Sequence, residues 1–178
     1  PRWGGVPLAL YLATYVGAFS AAGPALTAWC AVAAPAAGLT WAFSGAFNVG
    51  TWPQIILHMG VLAVLAGALH GRLAATRPPA ARLTEFYLCA AAGGVAGGLF
   101  NGLFAPLAFS GLHEYAFAVV AAMALLPEGA LPPRAPGDAG PERHWSHVAL
   151  VVSATTLVLA LLGEWPLPAR AWARVFTS

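Results

Sequence analysis

The chain of 178 residues is 60% hydrophobic and only 8% charged, whereas an average soluble domain has roughly 25% charged residues. A compact soluble protein leaves too much surface in water to tolerate this composition, so we predict an integral membrane protein. The net charge of +2 comes from scattered arginines without a single lysine, and no stretch is basic enough to neutralise several phosphates, which excludes nucleic acid as a partner.

Six apolar stretches approach the roughly 20 residues that a helix needs to cross a bilayer. Pro35, inside the second stretch, predicts a kink that neighbouring helices accommodate. The Pro- and Gly-rich stretch 127–144 predicts a solvated loop. We therefore predict an all-α fold, a polytopic transmembrane helical bundle that forms a single domain over residues 1–178. The predicted helices cover about 6–22, 25–47, 54–75, 83–105, 112–126 and 145–162.

The arginines predict the orientation of these helices. Arg72, Arg77 and Arg82 lie between the third and fourth helices without any acid, and such positive loops stay in the cytoplasm. We therefore expect this loop inside and both ends of the chain outside. The chain opens at Pro1 rather than at a methionine, which predicts a fragment of a longer protein.

Four glycines fall within six residues of the fourth predicted helix. A dinucleotide-binding fingerprint needs glycine at relative positions one, three and six after a strand, but Val95 occupies the third position from Gly93. At helical spacing the same residues form two rows of small side chains on which another helix backbone packs closely, with an amide that hydrogen-bonds across the interface. The predicted helix-packing residues are Gly93, Gly94, Gly97, Gly98 and Asn101.

Three histidines are weak candidates for cofactor binding: His58, His70 and His147. His58 and His70 are twelve residues apart, or about 18 Å along a helix, so they cannot share one metal ion. Each could separately be an axial ligand of a haem or chlorophyll, because imidazole is a common axial ligand. A hydrogen bond to a neighbouring helix is the favoured alternative, and we predict no cofactor.

Three further polar residues are candidates because ionisable groups are costly at membrane depth: Glu85, His113 and Glu114. Glu85 lies in the first turn of the fourth predicted helix, where an acid stabilises the helix dipole. Glu114 begins the fifth predicted helix, and we predict the same capping role for it. Proton or cation handling is the alternative. No arrangement of nucleophile, base and acid predicts catalysis, and no spacing predicts a metal site.

Four blocks of the sequence resemble successive blocks of the bacterial fused MFS-like and spermidine-synthase-like proteins. They read PLALYLATYVGAF from Pro7, ILHMGVLAVLAGALHGRLAATRP from Ile56, LTEFYLCAAAGGVAGGLFNGLFAPLAF from Leu83 and EYAFAVVAAMALLP from Glu114. The resemblance implies a transporter-like membrane region in the bacterial inner membrane, followed in the family by a soluble aminopropyltransferase-like domain. Arg72 is a departure, because the family usually has an acidic residue after its His-Gly pair.

The expected function is that of a non-catalytic membrane anchor and packing scaffold of such a fused protein. Any aminopropyltransferase-like activity would then belong to a soluble domain outside this chain. One alternative is an accessory structural subunit of a respiratory or photosynthetic membrane complex, and another is a transporter-like domain. The expected partners are the lipid bilayer and other membrane helices or subunits.

Overall fold

The computed structural model describes the backbone of residues 5–44, 50–109, 113–126 and 142–161, and the side chains of 5–44, 50–109, 114–126 and 147–158. The described residues are mostly helical and contain no strand, which confirms the all-α fold. Most of the predicted loop at 127–144 lies outside them. The helices are α1 (Val6–Ala18), α2 (Gly23–Phe43), α3 (Thr51–Ala75), α4 (Leu83–Leu99), α5 (Ala105–Ala108), α6 (His113–Leu125) and α7 (Glu142–Leu161).

Within the described residues, three helical stretches are long and apolar enough to cross a membrane: α2, α3 and Ala80–Ala108. We call Ala80–Ala108 the outer helix; it joins a short 3₁₀ turn, α4, a π-helical turn at Phe100–Phe104 and α5. α1, α6 and α7 contain shorter apolar stretches. The long helices support a membrane protein, whereas the prediction of six spans stays a prediction.

Local sequence explains where several helices begin and end. Pro7, Pro24 and Pro106 lie in the first turns of α1, α2 and α5, where a missing N–H costs nothing and the fixed φ suits a helix. Gly50 precedes α3 with φ of 73°, a left-handed conformation that glycine adopts without strain. α3 ends at Ala75 because the two prolines that soon follow it cannot continue the helix.

α2 lies at the centre of the bundle and contacts α1, α3, α6 and α7. It approaches α3 most closely at two glycines. A Cβ added to Gly67 would lie 2.6 Å from the Cys30 sulfur, and one added to Gly71 would overlap the Thr27 side chain. On α7, the fully buried Ser153 hydroxyl donates to the Gly38 carbonyl of α2 at 3.4 Å. Side chains of α2 and α7 therefore pack directly against the backbone of a neighbouring helix.

α3 and α6 run in the same direction. His58 meets Tyr115 in the N-terminal parts of the two helices, and the Arg72 guanidinium donates to the Leu125 carbonyl at their C-terminal ends. The chain between them must therefore return from the C-terminal end of α3 to the level of its N-terminal half. The outer helix makes this passage along the bundle.

The outer helix packs little against the rest of the described chain. Only 6% of the most apolar 18-residue segment of the outer helix is buried against the rest of the protein, compared with 33% of the corresponding segment of α3. It touches the bundle near its C-terminal end, where the rings of Phe100 and Phe117 lie 5.4 Å apart and Ala105 is buried. The π-turn ends two residues before Pro106, which has no N–H to donate and whose ring crowds the carbonyl four residues back, that of Gly102 within the turn.

Candidate functional site

The first polar cluster joins α3 to α6 inside the bundle. The Gln54 amide nitrogen lies 3.3 Å from His58 Nε2, and His58 Nδ1 lies 3.2 Å from the Tyr115 hydroxyl. Because the amide nitrogen donates, Nε2 accepts, and a neutral ring then carries its proton on Nδ1 and donates it to Tyr115. The ring of Tyr115 also meets His58 edge-on at 5.3 Å and Trp41 of α2 at 6.2 Å.

The second polar cluster joins α1 to α3. The Thr14 hydroxyl donates to the Tyr11 carbonyl at 2.7 Å, so its oxygen accepts a hydrogen bond from His70 Nδ1 at 3.1 Å. The rings of Tyr11 and Tyr15 meet the imidazole edge-on at 4.6 and 5.2 Å. His70 is 7% exposed, and no hydrogen-bond partner for its Nε2 lies among the described residues. Thr14 and the two tyrosines thereby fix the imidazole between the helices.

Both histidines of α3 thus hydrogen-bond to a neighbouring helix, the arrangement that we favoured from the sequence over cofactor ligation. In the described ranges, no group of three or more His, Cys, Asp or Glu side chains is placed to hold a metal ion. An imidazole with Nδ1–H held by an oxygen is also the form in which histidine binds metals. Ligation of a haem or chlorophyll by His70 or His58 therefore stays the alternative to this hydrogen-bonded role.

The two acidic candidates occupy helix starts. Glu85 is exposed in the first turn of α4 and makes no ion pair with the described arginines. Glu114 is half-buried in the first turn of α6, beside Tyr115 of the first cluster. The His147 side chain is exposed on α7, and the side chain of His113 lies outside the described residues. Both acids therefore occupy positions where a helix dipole stabilises a negative charge.

Arg72 connects the C-terminal ends of α3 and α6. Its guanidinium donates to the Leu125 carbonyl, one of the last carbonyls of α6, which has no partner within its own helix. A cation at this end also offsets the negative end of the helix dipole. Arg72 therefore has a structural role in this chain.

The glycine face of the outer helix has no neighbour in the described chain. A Cβ added to Gly93, Gly94, Gly97 or Gly98 would meet nothing within 4 Å. Asn101 is exposed on the same helix and has no hydrogen-bond partner among the described residues. Packing of these residues against another helix is therefore not found within the described part of this chain and stays a prediction for a partner.

Sequence reasoning missed the glycines that do pack. Gly67 and Gly71 are spaced four apart on α3, the same small-xxx-small signal that we read only in the fourth helix. It also missed the contact between His58 and Tyr115, which are 57 residues apart in the chain. A periodicity test applied to α3 finds the glycine pair, whereas no local signal gives the long-range hydrogen bond.

Comparison with models of known protein families, with curated proteins and with solved structures finds no match to this chain.

Proposed function

We propose that this chain is a non-catalytic membrane scaffold whose outer helix binds another membrane-embedded protein segment. One observation carries the proposal: the outer helix runs along the bundle, is long and apolar enough to span a membrane, and leaves its glycine face and Asn101 without a partner among the described residues. In hydrocarbon an unpaired amide is costly, so a second helix that pairs with it is strongly favoured.

The bundle around α2 supports an anchoring role. In the second cluster, the hydrogen bond between Thr14 and His70 joins α1 to α3 and stabilises a fixed arrangement of these helices. The six apolar stretches add the expectation of six membrane passes, and the arginines place Arg72, Arg77 and Arg82 on the cytoplasmic side. The family resemblance adds the expectation of a bacterial inner membrane. In such a protein the enzyme-like chemistry belongs to a soluble half, and this region holds that half at the membrane.

The experiment compares the size of the protein–detergent complex for the full-length wild type and Gly97→Leu. Extraction from the native membrane in a mild detergent should yield a complex larger than one polypeptide for the wild type. The added side chain should release the partner, because it enlarges a face on which helix backbones approach closely. Gly60→Leu is the matched control, since Gly60 is also exposed, with nothing within 4 Å of an added Cβ, but lies on α3. A wild type that elutes as a single polypeptide contradicts the proposal.

A transporter-like domain is the second candidate, and the Gln54–His58–Tyr115 chain favours it. A glutamine amide presents either a donor or an acceptor to Nε2 by rotating, so His58 can gain a proton while it keeps both hydrogen bonds. Half-buried Glu114 lies next to Tyr115 in sequence. Uptake assays in whole cells test this candidate: Glu114→Gln and Tyr115→Phe should abolish uptake of a solute that the wild type transports, with the bundle still folded.

A further inference from the structure

The exposed face of the outer helix has a defined pattern. Cys89, Gly93, Gly97 and Asn101 repeat every fourth residue and are all exposed. A second row lies beside them, formed by Ala90, Gly94 and Gly98. Pairs of neighbouring residues that recur every four positions follow the ridge of a helix that crosses its partner in a right-handed sense, near −40°. The face therefore has the shape for one closely crossing helix.

Asn101 indicates the chemistry of that helix. It lies about 10 Å from the middle of the outer helix, and so within the roughly 30 Å hydrocarbon layer. Its amide has no hydrogen-bond partner among the described residues. A carboxamide both donates and accepts, so an identical Asn101 at the same depth satisfies it in both directions. An apolar helix or lipid satisfies neither.

The charges at the other end of the outer helix are also self-complementary. Arg82 and Glu85 are both exposed, about one turn apart, and make no ion pair with the described residues. Across a two-fold axis, Arg82 of one copy lies beside Glu85 of the other, and the same contact forms twice. A partner with an acid opposite Glu85, or a base opposite Arg82, would instead bring like charges together.

Both copies of a membrane protein insert in the same orientation, because the same arginines determine it. A two-fold pair of outer helices must therefore be parallel, with its axis along the membrane normal, and equal residues then meet at equal depth. An antiparallel pair centred on residue 95 would place Asn101 opposite Cys89 instead. Only the parallel pair places Asn101 opposite Asn101 and Arg82 beside Glu85.

We propose that a second copy of this chain covers the outer helix, in a parallel two-fold dimer that crosses at Gly93 and Gly97 and pairs Asn101 with Asn101. The proposal rests on the proposed function in one respect, since it names the partner that the scaffold binds. Cys89 provides a native probe, because it lies in the same row one turn before Gly93.

The test is disulfide cross-linking of the full-length protein in its native membrane with a membrane-permeant oxidant. We expect a product of twice the polypeptide mass that reductant reverses. Cys89→Ser should abolish it, although Cys30 remains. Ala91→Cys in the Cys89→Ser background is the matched control: it is exposed at nearly the same depth but lies roughly 200° round the helix, too far for a disulfide, so its yield should be at least about tenfold lower.

Two further variants separate the interface from folding. Gly97→Leu and Asn101→Leu should each lower the Cys89 dimer yield several-fold at unchanged thermal stability of the monomeric bundle. If Cys89 cross-links to a different polypeptide, the partner is not a second copy of this chain, and the proposed scaffold function still holds. A single uncross-linked polypeptide, or equal yields from positions 89 and 91, would overturn the dimer. If the wild type also elutes as one polypeptide in mild detergent, the scaffold function fails as well.

Discussion

Replacement of Gly71 by alanine tests whether close α2–α3 packing holds the bundle together. The new Cβ would overlap the Thr27 hydroxyl, methyl and Cβ, so rotation of the Thr27 side chain cannot relieve the overlap. The Thr27 hydroxyl also donates to the Gly23 carbonyl at 2.7 Å, which fixes its position. The two helices must therefore separate.

Two opposing contributions to the free energy of unfolding determine how much Gly71→Ala destabilises the protein. Overfilling a packed site costs about 1–3 kcal/mol, and Gly-to-Ala replacement in a helix recovers about 0.5–1 kcal/mol. Because the overlap involves Thr27 Cβ as well as both branches, the cost lies in the upper part of its range. We expect a net loss of about 2 kcal/mol, which corresponds to a Tm lower by roughly 4–8 °C for a chain of this size.

The assay is thermal unfolding in a mild detergent, followed by circular dichroism at one fixed heating rate because unfolding of such proteins is often irreversible. Gly60→Ala is the matched control, since Gly60 lies on the same helix and nothing lies within 4 Å of its added Cβ. This variant should melt at or slightly above the wild-type Tm, because it gains helix propensity without any overlap. Equal Tm values for Gly71→Ala and the wild type would refute the packing argument, as would a larger loss at Gly60 than at Gly71.

Three further substitutions test the polar contacts between helices. Thr14→Val leaves the buried His70 Nδ1–H without its acceptor and should cost about 1–3 kcal/mol, whereas Thr14→Ser should retain most of the stability, both measured by the same melting assay. Tyr115→Phe removes the acceptor of the half-buried His58 and should cost about 1 kcal/mol; an unchanged Tm would exclude this hydrogen bond. Arg72→Gln weakens the contact with the end of α6 and should cost about 0.3–1 kcal/mol, with faster amide exchange in the last turn of α6 as the specific readout.

The sequence was sufficient to predict the all-α fold, because long apolar stretches alternate with prolines, glycines and charged clusters. Pro24 begins α2, Gly50 precedes α3, and two prolines follow the end of α3. The observed ends differ from the predicted ones by a few residues, since membrane helices often end within apolar sequence. The second predicted helix, for example, extended to residue 47, whereas α2 ends at Phe43.

The sequence could not predict which helices touch. The rows at Gly67 and Gly71 and at Gly93 and Gly97 carry the same spacing signal, yet only the first packs within the described chain. A small-residue face indicates that a helix can approach closely, but it does not identify the partner. The contact of His58 with Tyr115 depends on the parallel arrangement of α3 and α6, which follows from the course of the outer helix and not from either local sequence.

The most direct test of the scaffold function is the native mass of the assembly released from the membrane without prior purification. We expect a species heavier than one polypeptide, which Gly97→Leu converts to a single polypeptide with an intact bundle. A wild type that leaves the membrane only as one polypeptide, with lipid alone against the outer helix, would refute the scaffold function.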